Sequence, residues 1–287
     1  MRPHLPGRDA GPAGPEPSLG EHARRAACTY GAAADHYGVP ALGFWDRFGA
    51  ATVRRLGLAA GDRVLDLCCG AGASAIVAAH VVGAAGRVLG VDVADPLLDL
   101  ARARAVREDL ANTEFRYGDA MATRLPDGSF DAVVCVFGLF FAPDMAAFVA
   151  EMRRLARPGG VLAVTTWGPG LFEPANSLFW EAVREVEPSL FKAYNPWDEI
   201  TTPQALAGLF ARAGVPDPAV VAVPGQHHLD RPDQFWDVVL GSGYRATVDA
   251  LGPQQRDRLH ARLLGELRAR NVTALRTDVV FGTAWSR

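Results

Sequence analysis

The stretch VLDLCCGAG at residues 64–72 decides the fold of this 287-residue chain. It begins within a short, mostly apolar run at residues 63–67, which is typical of a buried strand. Two glycines follow, Gly70 and Gly72, and residues 73–80 continue with a helical pattern. A strand, a glycine-rich turn and a helix in this order form the unit from which parallel sheets are built.

The same alternation repeats along the chain. Strands are predicted at residues 87–92, 113–117, 130–137, 160–167, 219–223 and 277–285, and helices at 96–107, 144–155, 203–213 and 253–270. This order predicts an α/β fold with a doubly wound parallel sheet covered on both faces. Ligands bind such sheets beyond the carboxyl ends of the strands. Asp66, Asp92, Asp119 and Phe137 all lie at or just past a predicted strand end, so they are candidate ligand-binding residues.

Composition and charge narrow the class of protein. The chain is 49% apolar and 21% charged, which is ordinary for a globular α/β domain. Its net charge of −3 offers no electrostatic footprint for nucleic acid or an anionic membrane. The four cysteines lack CxxC spacing, so we expect reduced thiols, a cytoplasmic location and no bound metal. No apolar run reaches membrane-spanning length.

The chain divides into a tail and one predicted domain. Residues 1–20 contain five prolines and four glycines, which predicts a disordered tail. Residues 21–287 are predicted to form a single domain. Within it, N-terminal helices occupy 21–57 and the sheet core 58–167. A helical cap over the ligand site and the C-terminal sheet edge occupy 168–287.

The glycine turn by itself fits two cofactors. Gly70, Gly72 and Ala75 satisfy the G-x-G-x-x-G/A pattern of dinucleotide sites, and Asp92 can bind a ribose in either case. Asp66 distinguishes between a dinucleotide and S-adenosylmethionine, because it lies just before the glycines, where the charged part of either cofactor would bind. Its carboxylate would repel a pyrophosphate by roughly 3 kcal/mol at ~5 Å and an effective dielectric near 20. It would attract the ammonium and sulfonium groups of S-adenosylmethionine (SAM), so SAM is favoured. A tight turn with no ligand is the third alternative.

Four segments resemble, in order and spacing, the motifs of class I SAM-dependent methyltransferases, and in particular UbiE-like small-molecule methyltransferases. They are VLDLCCGAG at 64–72, VLGVDVADPLLDLARAR at 88–104, FRYGDAMATRLPDGSFDAVVCVFGL at 115–139 and MRRLARPGGVLAVTTW at 152–167. The resemblance implies a Rossmann-like, seven-stranded sheet that is mostly parallel, with an antiparallel last strand.

The resemblance also implies the residues that contact SAM. Asp66 and the glycines would hold the methionine part, Asp92 the ribose and Asp119 the adenine amino group. The full set is Asp66, Cys68, Gly70, Gly72, Asp92, Val93, Asp119, Ala120, Val136 and Phe137. Asp119 has an alternative role as the N-cap of a following helix.

Cys68 departs from the family pattern, which has a glycine at this position. A cysteine does not easily take a positive φ angle. We therefore expect an extended or helical backbone at Cys68, with a small buried thiol that takes no part in catalysis.

The implied reaction is methyl transfer by in-line displacement, which depends mainly on alignment of the reactants and requires no fixed set of catalytic groups. Aromatic residues outside the core are expected to line the acceptor pocket, which suits a flat or terpenoid-like apolar acceptor. They are Phe141, Trp167, Phe172, Trp180, Tyr194, Trp197, Trp236 and Tyr244. The alternative is that these rings form the core of the cap itself.

Three residues are candidates for catalysis. His227 and Glu173 are candidate general bases. Strand alternation lets at most one of His227 and His228 face the pocket, and a surface histidine is the alternative. Tyr37, in the sequence ADHYG at 34–38, resembles an N-terminal tyrosine that closes over SAM in related enzymes.

The sequence therefore predicts a SAM-dependent methyltransferase that releases S-adenosylhomocysteine (SAH). Its expected acceptor is a small aromatic or isoprenoid-like metabolite of secondary metabolism, methylated on carbon or oxygen, with nitrogen also possible. The alternatives are an NAD(P)-dependent oxidoreductase and a non-catalytic SAM-binding protein. A monomer or homodimer is expected, without a nucleic-acid or membrane partner.

Overall fold

The structure is a computed structural model that describes residues 19–286. The tail predicted for residues 1–20 lies almost entirely outside the described residues. The strands are β1 (Arg63–Leu67), β2 (Arg87–Asp92), β3 (Thr113–Tyr117), β4 (Phe130–Val136), β5 (Ala156–Trp167), β6 (Ala219–Val223), β7 (Gln226–His228), β8 (Ala274–Arg276) and β9 (Val279–Trp285). The helices are α1 (Glu21–Ala33), α2 (Phe44–Val53), α3 (Ala75–Val82), α4 (Asp95–Arg107), α5 (Met145–Leu155), α6 (Ala175–Val186), α7 (Pro203–Arg212), α8 (Phe235–Leu240), α9 (Arg245–Asp249) and α10 (Pro253–Ala269).

Seven strands form one sheet in the order β3-β2-β1-β4-β5-β9-β6. The first five pair in parallel, and β9 inserts antiparallel between β5 and β6. The predicted Rossmann-like, mostly parallel sheet with an antiparallel last strand is confirmed. The strand order reverses at β1, because β2 pairs with one edge of β1 and β4 pairs with the other edge. Such a reversal opens a crevice at the carboxyl ends of these strands.

Both faces of the sheet are buried, because helices cover each of them. Alternation sends Leu65 and Leu67 of β1 into the core beneath α5 and α7, and Val64 into the core beneath α3 and α4. Four of the five residues of β1 are buried. This explains why the strand is a continuous apolar run interrupted only by Asp66.

The predicted elements agree best inside the sheet. The bounds of β2, β3 and β6 are those predicted. Within the predicted helical segment 21–57, the first helix ends at Ala33, where a 3-10 turn begins. The sequence did not predict α6, nor the two-stranded sheet in which β7 pairs with β8. These elements lie beyond the repeating core, where aromatic and proline-rich sequence shows no clear period.

Candidate cofactor and acceptor site

A cavity of about 850 Å³ lies at the carboxyl ends of β1, β2, β3 and β4. Its floor is the glycine turn after β1 and the residues that follow the neighbouring strands. Its roof is α1, together with the loop at residues 37–43 and the first turn of α2. The volume lies within the range of about 300–1,000 Å³ that is usual for sites of small molecules and cofactors.

The glycine turn bends sharply, and three of its residues have positive φ angles. These are 59° at Cys68, 51° at Gly70 and 83° at Gly72. The expectation of an extended or helical backbone at Cys68 is therefore wrong. The neighbouring Gly138 makes room for Cys68, since a Cβ atom there would lie 2.4 Å from the Cys68 Cβ.

The Cys68 thiol lines the cavity beside Cys135, at the end of β4. A hydrogen bond between the two thiols, followed by burial, raises the pKa of Cys68 well above its ordinary value. The thiol is therefore protonated at neutral pH, and a protonated thiol is a poor nucleophile. This agrees with the expectation of a structural thiol.

Asp92, the last residue of β2, is fixed by two backbone amides. Gly70 N donates to Oδ2 at 2.8 Å, and Ala94 N donates to Oδ1 at 2.8 Å. Burial raises the pKa of Asp92, although these amide hydrogen bonds act in the opposite direction. Each carboxylate oxygen keeps a lone pair for a further donor. Asp92 is thus a rigid acceptor at the cavity wall, suited to a pair of hydroxyls.

Asp119 lies two residues past β3 and lines the same cavity. Its Oδ1 accepts a hydrogen bond from Met121 N at 2.9 Å, which is the pattern of an Asx turn. No helix begins there, so the alternative of an N-cap is wrong. Ala120 and Val93 complete this end of the cavity.

Asp66 faces away from the cavity. It is completely buried, and its Oδ2 accepts a hydrogen bond from Ser74 Oγ at 2.6 Å. Its Oδ1 has no hydrogen-bond partner among the described residues. Burial raises its pKa to about 7. The expected direct contact of Asp66 with a ligand is therefore wrong, because the carboxylate lies beneath the turn. Gly72 is also absent from the lining.

The end of the cavity beside the carboxyl end of β4 is aromatic. Phe137, just past β4, has a φ angle of 56° and stacks on Trp167 with centroids 3.8 Å apart. Trp45 contacts Phe137 edge to face, and Tyr37 stacks parallel to Trp45 at 6.1 Å. The lining residues at this end are Tyr30, Tyr37, Val39, Leu42, Trp45, Phe137 and Phe141. We call this set the aromatic wall.

Most of the aromatic residues predicted for the acceptor pocket lie elsewhere, and only Phe141 lines the cavity. Trp167 lies behind Phe137. Phe172, Trp180 and Tyr244 are buried against one another and their neighbours. Tyr194 is exposed, Trp197 packs on Phe140, and Trp236 packs on His260. These predictions are wrong, because Tyr194 is exposed and the other rings pack against neighbouring rings outside the cavity lining.

The two candidate bases also lie outside the cavity lining. The Glu173 carboxylate accepts hydrogen bonds from Asn176 and Ser177 in the first turn of α6. His227 lies in β7 with its ring against Phe44, and its Nε2 is buried without a hydrogen-bond partner. Burial lowers the pKa of His227. Neither residue lines this cavity, whereas Tyr37 does.

The roof contains two residues that sequence reasoning missed, Ala23 and Ala26. Ala23, Ala26 and Tyr30 recur at helical spacing along α1 and face the cavity, and the Tyr30 ring contacts Phe141 edge to face at 5.4 Å. This spacing was visible in the sequence as an amphipathic stripe. What the stripe covers depends on the position of α1 above the sheet.

Comparison with known proteins identifies the family. The profile of a methyltransferase domain matches residues 64–160. A demethylmenaquinone methyltransferase of Lactococcus lactis subsp. lactis is 33% identical over 195 residues, which cover 64% of this chain and 75% of that protein. The chain belongs to the class I SAM-dependent methyltransferases. The demethylmenaquinone methyltransferase of Geobacillus kaustophilus is 37% identical over 121 residues, which cover 42% of this chain and 52% of that protein.

Solved structures share the fold of this methyltransferase. The YcgJ protein of Bacillus subtilis matches with a TM-score of 0.55 and 16% identity, over 84% of this chain and 99% of that one. A phosphoethanolamine N-methyltransferase of Haemonchus contortus matches with a TM-score of 0.57 and 18% identity, over 94% and 61%. The [4+2]-cyclase SpnF also matches, with a TM-score of 0.52 and 20% identity over 83% and 80%. The fold alone therefore does not determine the reaction.

The methyltransferase uses SAM and acts on a small molecule. The oxidoreductase and the non-catalytic alternative are therefore both wrong. The cavity fits the cofactor, because it offers an amide-bound carboxylate at Asp92, a glycine turn at Gly70 and a second carboxylate at Asp119. Within residues 19–286, no helix is long and apolar enough to cross a membrane.

Proposed function

We propose that this enzyme methylates a carbon atom of a flat, oxygen-bearing aromatic acceptor of the quinol class. The aromatic wall is the observation that carries the proposal. Flat rings bind well between aromatic side chains that stack or meet edge to face. The relatives named as demethylmenaquinone methyltransferases point to the same class of acceptor.

The distribution of charge supports transfer to carbon. Among the described lining residues, Asp92 and Asp119 lie at the cofactor end. The remaining carboxylates and the histidine lie on the first turn of α1, at Asp46 and at the end of α4. The aromatic wall contains only neutral groups. An oxygen or nitrogen acceptor with a high pKa needs a base, whereas an electron-rich ring carbon needs none for the attack itself.

We further propose a role for each part of the cavity. Asp92 binds the ribose hydroxyls, Asp119 and Ala120 hold the adenine, and the turn at Gly70 holds the methionine part. When bound, SAM supplies a methyl group on a positively charged sulfur. The acceptor carbon forms a bond to this methyl group as the carbon–sulfur bond breaks, and the ring proton leaves to solvent. The faces of Phe137 and Trp45 stabilise the cationic charge near the reacting atoms.

The first experiment tests the acceptor. Purified enzyme is incubated with SAM and a chemically reduced demethylmenaquinone that carries a short prenyl chain. We expect a singly methylated product with the new methyl group on ring carbon, identified by mass spectrometry and NMR. SAH binding without a methylated quinol would contradict the proposed acceptor class, and a methoxy product would contradict transfer to carbon.

The cofactor role of Asp92 is tested separately by calorimetry. We expect Asp92→Ala to weaken SAH binding at least tenfold, because a buried acceptor for two hydroxyls is lost. Asp99→Ala is the control, since Asp99 lies exposed on α4. Equal affinity of the two variants would contradict the assignment.

A further inference from the structure

Two phenol groups face the cavity without a protein partner. Tyr30 lies on α1 and Tyr37 lies in the loop that follows it. Neither hydroxyl makes a hydrogen bond to another described residue. A polar group that stays unpaired when a ligand fills the cavity costs about 1–3 kcal/mol. The ligand that fits this site therefore carries hydrogen-bond acceptors opposite these hydroxyls.

Tyr30 is the member of the aromatic wall that lies on α1, in the roof of the cavity. Its ring contacts Phe141 edge to face at 5.4 Å. Its hydroxyl lies beside Gly243, where a Cβ atom would be 3.6 Å from the phenol oxygen. The ring is thus held between Phe141 and the loop before α9, with few alternative positions. Tyr37, in contrast, stacks parallel to Trp45.

We propose that the Tyr30 hydroxyl donates a hydrogen bond to an oxygen atom of the acceptor, and so selects oxygen-bearing aromatic rings over plain hydrocarbons. This inference rests on the proposed function, because it assumes an aromatic acceptor against Phe141. It assigns to Tyr30 the role of orienting the ring and stabilising negative charge on its oxygen.

The protonation state of Tyr30 agrees with a donor and not with a base. Burial, followed by the nearby Asp92, raises the pKa of Tyr30 far above its ordinary value. The phenol therefore keeps its proton at neutral pH. A hydrogen bond from a neutral donor to a developing oxyanion is stronger than one to a neutral oxygen. Tyr30 would thus favour the deprotonated form of the acceptor, whose ring carbon is the better nucleophile, and the oxygen gives up this charge as the carbon attacks.

The experiment measures binding, so it does not depend on turnover. The complex of the enzyme with SAH is titrated with 1-naphthol and, in parallel, with naphthalene. Tyr30→Phe is compared with the wild type, and Tyr194→Phe is the control, because Tyr194 is exposed and lies outside the cavity lining. We expect Tyr30→Phe to bind 1-naphthol roughly three- to tenfold more weakly, the effect of one hydrogen bond. Binding of naphthalene and SAH should not change.

Two results would overturn the inference. Unchanged binding of 1-naphthol by Tyr30→Phe would show that no hydrogen bond is made. An equal loss of affinity for both ligands would show that Tyr30 acts by packing alone. A wild-type complex that binds neither ligand would overturn the aromatic acceptor itself, which separates failure of the proposed function from failure of the role of Tyr30. In turnover, Tyr30→Phe should lower kcat for a quinol acceptor most at low pH, where the acceptor oxygen is protonated.

Discussion

Cys68 occupies a backbone conformation that the family fills with glycine. Its φ angle of 59° lies in the left-handed region, where a side chain costs of order 1–3 kcal/mol. The chain tolerates this because Gly138 has no side chain at the point of closest approach. The pattern of the motif indicated the departure, but the sequence could not show that neighbouring residues compensate for it.

Substitution of Cys68 tests this strain. Cys68→Val should lower the free energy of unfolding by about 2 kcal/mol or more, because a β-branched residue is a severe outlier at positive φ and its extra methyl group meets Gly138. Cys68→Gly should change it by less than about 1 kcal/mol, since the relieved strain offsets the lost packing. Urea denaturation measures both, with Cys28→Val on the exposed face of α1 as the control. Equal stability of the Val and Gly variants at position 68 would contradict the strain.

Asp66 is the second residue whose environment has a measurable consequence. Its pKa is about 7 in the folded protein because it is buried, against 3.8 ordinarily. The folded state therefore holds a proton on Asp66 that the unfolded state has lost between about pH 4 and 7. Since the folded state binds more protons there, this group reduces stability as the pH rises through that window.

Asp66→Asn removes this titration and keeps an acceptor for Ser74. We expect the variant to gain stability relative to the wild type between pH 5 and pH 8 in the absence of ligand, as followed by urea denaturation. Asp257→Asn, exposed on α10, serves as the control and should show no such trend. A difference between wild type and Asp66→Asn that is the same at both pH values would refute the assignment.

At the scale of elements, α2 links the roof of the cavity to its floor. Gly49 of α2 lies directly against the start of α3, where a Cβ atom would be 2.6 Å from the carbonyl carbon and oxygen of Ala73. Backbone cannot move aside as a side chain can, so this contact fixes the distance between α2 and the glycine turn. The sequence predicted both helices, but nothing in it indicates that Gly49 is the contact point.

Gly49→Ala should therefore lower the free energy of unfolding by about 1–3 kcal/mol, through overpacking, and weaken SAH binding by displacing the turn. Gly265→Ala is a matched control inside α10, where a Cβ atom meets nothing within 4 Å. It should raise stability by about 0.5–1 kcal/mol, the gain in helix propensity. Destabilisation by Gly265→Ala, or none by Gly49→Ala, would contradict this account of the contact.

At the scale of the whole molecule, the cavity lies where two halves of the fold meet. The sheet supplies the cofactor end through Asp92 and Asp119, on neighbouring strands. The N-terminal segment supplies the roof through α1 and the loop before α2. The segment after β5, expected to cap the site, instead packs behind the wall: Phe172 contacts Trp167 of β5, and Trp167 stacks on Phe137.

The sequence by itself determined the succession of strands and helices along the core, the family and the residues at the strand ends. These follow from the local period of apolar residues and from motifs whose spacing is fixed by one strand-turn-helix unit. Only the tertiary structure decided that Asp66 lies beneath the turn, that Tyr30 lines the cavity, and that Trp180 and Tyr244 do not. An aromatic side chain contributes the same burial in a core as in a pocket wall. Whether an aromatic side chain lies in the core or in the pocket wall depends on how helices that are distant in sequence cross the sheet. The local sequence does not determine that packing.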